Sequence, residues 1–132
     1  MTKIVVNGTF DIIHLGHLRL LNTARSYPNS YVLVLIDSDR RVKELKGNDR
    51  PINTEYERAW MLWSLRHVDR VEIFDSDDEL RNYIKDFEPD IMIKGSDYEG
   101  KTIIGSEYCK QIRYYPLDGH STTNTIQRIT NR

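Results

Sequence analysis

Asn7-Gly8-Thr9-Phe10-Asp11-Ile12-Ile13-His14-Leu15-Gly16-His17 joins two different hydrophobic patterns. Before it, Lys3 to Val6 is a short run with β-branched residues, the composition of a strand buried on both faces. After it, Leu15, Leu18, Leu20, Leu21 and Ala24 recur at helical spacing until Pro28 and Asn29 break the pattern, which predicts a helix from about Leu15 to Ser26. A second apolar run, Tyr31 to Ile36, then reads as another buried strand. Strand, helix, strand is a β-α-β unit, because parallel strands need a crossover. The opening stretch is therefore the turn from the first strand into the first helix.

The same alternation continues outward. Arg40 to Asn53 reads as a charge-rich loop, and Thr54 with Glu57 three residues on has the spacing of a capping box ahead of a helix over about Glu55 to Arg66. Arg70 to Phe74 reads as a strand, Asp77 to Phe87 as a helix ending before Pro89, Asp90 to Lys94 and Gln111 to Tyr115 as strands, and Ser121 to Ile129 as a closing helix. The expected fold is α/β: one Rossmann-like domain over residues 1–132, with a mostly parallel five-stranded sheet and helices on both faces. Ligands in such sheets bind beyond the carboxyl ends of the strands.

Composition fits one ordinary domain. The chain has 132 residues, 39% hydrophobic and 30% charged, with 19 Lys and Arg against 20 Asp and Glu. A chain this long buries about two-thirds of its unfolded surface, enough for a core without staples. Balanced charge removes the basic footprint of a general nucleic-acid binder, so no nucleic-acid partner is expected. The longest uninterrupted apolar stretch, Val32 to Ile36, is far short of the about 20 residues that span a bilayer. No membrane partner is expected either. The single cysteine, Cys109, has no partner for an internal disulfide and reads as structural, which with no secretory signal pattern leads to a cytoplasmic expectation.

The turn carries the strongest chemical signal. A helix N-terminus offers N–H groups and a partial positive charge to an anion, and Gly8 and Gly16 let backbone approach a phosphate closely. His14 and His17, three apart, share one face of the first turn and can donate to the same phosphate. The rival roles are a local cap for His14, a core position for His17, or metal ligation by the pair. No third ligand or Glu-bearing zinc pattern accompanies them. Asp11 suits Mg2+, directly or through water, or the orientation of a His. Lys46 stands in a charged segment that is either plain solvated loop or a mobile cation. Ser121-Thr122-Thr123 opens the last helix, and three hydroxyls exceed what one N-cap needs. Asp97 follows a predicted strand, in a Gly-Ser-Asp turn that would also serve without function. Arg58 is placed on the helix face opposite Trp60 and Trp63, where the plain alternative is a surface pair with Glu55 or Glu57. Trp60 and Trp63 read as core or as a dimer surface.

Gly8-Thr9-Phe10-Asp11 followed by His14-Leu15-Gly16-His17 resembles the signature of the HxGH nucleotidyltransferases. Leu45-Lys46-Gly47, Arg50-Pro51-Ile52-Asn53, Glu57-Arg58, Val68-Asp69, Lys94-Gly95-Ser96-Asp97-Tyr98, Gly105-Ser106 and Asp118-Gly119-His120-Ser121-Thr122-Thr123-Asn124 extend the likeness to the cytidylyltransferase-like branch over nearly the whole chain. Within it, the chain is most similar to the nucleotidyltransferase domains of ADP-heptose synthases, with the glycerol-3-phosphate cytidylyltransferases as near relatives. The latter carry Arg-Thr-x-Gly-Ile-Ser-Thr-Thr late in the chain. Here Pro116 to Thr123 lacks that Arg, its part after Pro116 is one residue shorter than that pattern, and His120 replaces the Cys usual in the heptose enzymes.

The resemblance implies transfer of a nucleoside monophosphate from an NTP, with ATP favoured, to a phosphorylated sugar such as a heptose 1-phosphate, releasing pyrophosphate. Catalysis would fall to His14, His17 and Lys46. Nucleotide binding would fall to Gly8, Thr9, Phe10, Gly16, Asp97, Gly119, Ser121, Thr122 and Thr123, and acceptor binding to Asp11 and Arg58. Mg2+ is the implied cofactor and a homodimer the implied assembly. The alternatives are a CTP-dependent glycerol-3-phosphate enzyme or a nucleotide-binding module without catalysis.

Overall fold

In a computed structural model, residues 1–116 and 121–131 are described. The strands are β1 (Thr2–Gly8), β2 (Ser30–Asp37), β3 (Arg70–Phe74), β4 (Ile91–Gly95) and β5 (Gln111–Tyr115). The helices are α1 (Leu15–Arg25), α2 (Asp39–Lys46), α3 (Glu55–Trp63), α4 (Asp77–Phe87) and α5 (Thr122–Thr130). The sheet runs β3-β2-β1-β4-β5, and all four pairings are parallel. Strand order reverses between β1 and β4, and that reversal opens a crevice at the strands' carboxyl ends.

Period-two side-chain alternation divides the core. Ile4, Val6, Val34 and Ile36 point to one face with Leu21 of α1 and Leu62 of α3, while Val5, Leu33, Leu35 and Met92 point to the other with Leu80 and Ile84 of α4. Both faces are thus covered, which is why β1 and β2 read as continuous apolar runs. The Thr54–Glu57 capping box forms as expected.

One expectation is corrected, and one of two alternatives falls away. The charge-rich loop contains α2, which Ser38 starts by accepting the Arg41 N–H. Only Val42 of that helix is buried, so no apolar stripe announces it. Trp60 and Trp63 are 65% and 61% exposed, with ring centroids 5.4 Å apart, and neither belongs to the core.

Candidate active site

The β1–α1 turn is built around Phe10, whose backbone is left-handed at φ 51° and whose ring is buried. A Cβ on Gly8 would come within 3.2 Å of that ring, so glycine lets the turn close over it. His14 is the N-cap of α1, and its Nδ1 accepts the Gly16 N–H at 3.1 Å. The His17 Nδ1 accepts the His14 N–H at 3.2 Å, completing a capping box made of two imidazoles. The rings stack with centroids 3.8 Å apart, and His17 leans on Phe10 at 4.7 Å.

This geometry assigns the protons. An Nδ1 that accepts a hydrogen bond carries no hydrogen, so the neutral form of each ring bears its proton on Nε2. Burial, with the charges of His14 and Lys46 adding to it, pushes the pKa of His17 down to about 3. His17 is therefore a neutral Nε2–H donor at ordinary pH. The Gly16 N–H is taken up by His14, so Gly16 contributes close backbone approach rather than a free amide.

A cleft of about 460 Å³ opens over the carboxyl ends of β1, β2 and β4. Gly8, Thr9, Phe10, His14, Gly16, His17, Lys46, Asp97, Ser121, Thr122 and Thr123 all line it. Gly119 lies outside the described residues. Lys46 is the last residue of α2, not part of a loop, and partial burial followed by the charge of Arg50 lowers its pKa. The three hydroxyls of the last helix have separate protein contacts. Ser121 caps α5 by accepting the Asn124 N–H, Thr122 donates to the Ile12 carbonyl at 3.2 Å, and Thr123 accepts from Arg50 at 3.4 Å. Thr122 thereby ties the start of α5 to the β1–α1 turn.

The two residues expected to bind the acceptor do not line the cleft. Arg58 is fully buried. Its guanidinium donates to the carbonyls of Asn53, Thr9 and Asp37 and to the Asp39 carboxylate at 2.9–3.1 Å. Neither a surface pair nor a substrate contact describes it; the side chain joins the β1–α1 turn to the end of β2 and the starts of α2 and α3. Asp11 is 1% exposed and accepts the N–H groups of Ile52 and Asn53 at 2.7 and 2.8 Å. Its carboxylate anchors the loop after α2, so the structure gives Asp11 and Arg58 internal partners and does not bring them to the cleft with the other expected site residues.

Other residues at the cleft were given no site role from the sequence. Asp37 ends β2 and pairs with Arg41 of α2 at 3.0 Å, and Arg41 also reaches Asp77 at 2.7 Å. Lys94, near the end of β4, is 6% exposed and lines the cleft. The signal that finds Lys94 is a lone cation closing an otherwise apolar run, Ile91-Met92-Ile93. Among the described residues, no three His, Cys, Asp or Glu side chains form a group able to hold a metal ion. No helix among them is long and apolar enough to cross a membrane.

Known proteins are similar to this chain in sequence and in fold. The bifunctional protein HldE of Campylobacter fetus is 47% identical over 129 residues, which cover 97% of this chain and 28% of that protein. HldE of Helicobacter pylori is 44% identical over 129 residues, covering 96% of this chain and 27% of that protein. The chain thus spans little more than a quarter of these relatives' length. A crystal structure of a lipopolysaccharide core biosynthesis protein from Thermoplasma volcanium superimposes with a TM-score of 0.71 at 25% identity, covering 89% of this chain and 99% of that one. The cytidylyltransferase-like family model matches residues 5–128, from β1 into α5 and across the whole cleft. With the parallel sheet, the paired imidazoles and the α5 hydroxyls all inside that match, the chain belongs to the cytidylyltransferase-like family.

Proposed function

We propose that this chain transfers a nucleoside monophosphate from ATP to a sugar phosphate, a heptose 1-phosphate, with release of pyrophosphate. The observation that carries the reading is the pair of stacked imidazoles at the start of α1, each with its Nδ1 turned to a backbone N–H and its Nε2 left for a ligand, in one cleft with Lys46 and the α5 hydroxyls. The names of the relatives, HldE and a lipopolysaccharide core biosynthesis protein, support a sugar phosphate as acceptor.

A phosphate oxygen of the acceptor attacks the α-phosphorus, and the bond from that phosphorus to the bridging oxygen breaks as pyrophosphate leaves. The nucleophile is already anionic at neutral pH, so no general base is required. Catalysis rests on alignment and on donors aimed at the charge that develops. His14 and His17 would donate to the α-phosphate and its bridging oxygen. Lys46 and the N-terminus of α5 would hold the leaving pyrophosphate. The cleft offers carboxylates singly, Asp37 beside Arg41 and Asp97 at the exposed rim. That set fits a Mg2+ that arrives on the triphosphate, where it neutralises charge, better than a resident protein cage.

Pyrophosphate release with Mg2+, crossing ATP and CTP against a heptose 1-phosphate and glycerol 3-phosphate, tests the reading. Release with ATP and the heptose phosphate alone is expected, and His17→Ala should lower turnover on the order of a hundredfold, as for loss of one oxyanion donor. Turnover with CTP and glycerol 3-phosphate would replace the assignment. Nucleotide binding without release in any pairing would leave a non-catalytic module. The reading extends to a cytoplasmic setting and to a homodimer through the exposed Tyr56, Trp60, Met61 and Trp63 of α3. Sedimentation at 15.6 kDa, rather than twice that mass, would refute the dimer.

A further inference from the structure

Lys94 has no ordinary structural role. Its side chain leaves β4 next to Asn7 of β1, at the point where strand order reverses, and is 94% buried by its 6% exposure. Among the described residues the ammonium makes one long hydrogen bond, 3.4 Å to the Asn7 Oδ1, and stands 4.0 Å from the centroid of the Tyr98 ring. Among the described residues no carboxylate pairs with it. Asp37 and Asp97 are the carboxylates whose charge reaches it, and Asp37 is engaged by Arg41. Burial lowers the Lys94 pKa, as expected for an ammonium taken from water without a counter-ion. A buried charge that lacks a partner opposes folding. Yet this one lines the cleft, where a ligand can supply the missing negative charge.

We propose that Lys94 binds the phosphate group of the acceptor, making the floor of the cleft at the β1–β4 crevice the sugar-phosphate subsite. The inference rests on the reading of this chain as a nucleotidyltransferase and names the residue that seats its second substrate. In-line displacement puts the attacking phosphate on the opposite side of the α-phosphorus from the leaving pyrophosphate. The α1 and α5 N-termini and Lys46 serve the nucleotide phosphates, and Arg41 is taken by Asp37 and Asp77, so among the described residues that line the cleft Lys94 is the cation left for the attacking group. Asn7 completes the subsite: with its Oδ1 turned to Lys94, its amide nitrogen is a donor for the same phosphate. Asp97 beside it can accept from sugar hydroxyls.

The test is steady-state kinetics of Lys94→Met and Lys94→Arg, together with a titration of the Lys94 side-chain NMR signal in the wild-type protein. Lys94→Met should raise the KM for the heptose 1-phosphate at least tenfold and leave the KM for ATP within twofold, while melting no lower than wild type. Lys94→Arg should recover part of the loss. In the titration, heptose 1-phosphate and, more weakly, inorganic phosphate should move the Lys94 signal, and ATP alone should not. A KM increase confined to ATP, or unchanged constants for both substrates, would overturn the proposal. So would a Lys94 signal that answers to ATP but to neither phosphate probe. If the wild-type protein releases no pyrophosphate with any pairing, the proposed reaction fails, and the titration alone still decides whether Lys94 is a phosphate site.

Discussion

His17 shows what a residue's type discloses and what only its surroundings do. Two histidines three apart at a strand-to-helix turn are legible in the sequence as phosphate donors. The tautomer is not, because it depends on which backbone N–H each Nδ1 faces. Nor was the depressed pKa, which comes first from burial. That depression has a thermodynamic consequence. An unfolded His titrates near its ordinary value of 6.5, and His17 in the fold near 3, so between those values the unfolded chain binds more protons. Stability from this group is therefore fully present above pH 6.5 and is lost as pH falls toward 3. Denaturant unfolding of wild type and His17→Gln between pH 7.5 and about 4.5 should give a steeper acid loss for the wild type. Equal slopes would mean that His17 titrates normally. Arg58 and Asp11 mark the opposite limit: charged residues beside a motif invite a ligand role, and only the fold reveals partners within their own chain, backbone groups for both and the Asp39 carboxylate for Arg58.

At the scale of elements, the strands and four of the five helices were legible because each buries an apolar run or stripe. Their ends shifted by a few residues, as with α3, which stops at Trp63 rather than Arg66. The exception, α2, buries Val42 alone and depends on its cap and its packing instead of periodicity. Its function depends on the same cap, since α2 carries Arg41 toward Asp37 and ends at Lys46 over the cleft. Ser38 accepts from Arg41 N at 3.2 Å and its hydroxyl also donates to Asp75. Ser38→Ala should cost about 1 kcal/mol, the usual loss for an N-cap. Because fraying of α2 would unseat Lys46, the KM for ATP should rise as well. A stability loss with unchanged nucleotide kinetics would separate α2 from the site.

Across the whole molecule, the sheet order places the crevice and Arg58 holds its rim together. One buried guanidinium connects the β1–α1 turn, the end of β2, the start of α2 and the approach to α3. Removing it would leave three carbonyls and a carboxylate short of a donor in a dry interior. Arg58→Met should cost about 3–5 kcal/mol, as for breaking one side of a buried pair, and should lower Tm accordingly. Chemical denaturation gives the value, and a loss under about 1 kcal/mol would contradict the network described here. The global architecture was the most legible level, since alternating strands and helices permit few parallel arrangements. The cleft's floor was the least, because Lys94 and Asp37 are far apart in sequence and meet only through strand order.

The paired imidazoles at the start of α1 also constrain how this protein can change. Each ring must present an acceptor to its own backbone and a donor to the cleft from opposite edges of one small plane. Few side chains meet both demands, so selection for turnover and selection for a well-formed helix act on the same two positions. A library randomised at 14 and 17 and screened for stability alone would keep Ser, Thr, Asp and Asn at the cap and Glu or Gln three residues on, as Thr54 and Glu57 do at α3; a screen for turnover would narrow both positions to histidine.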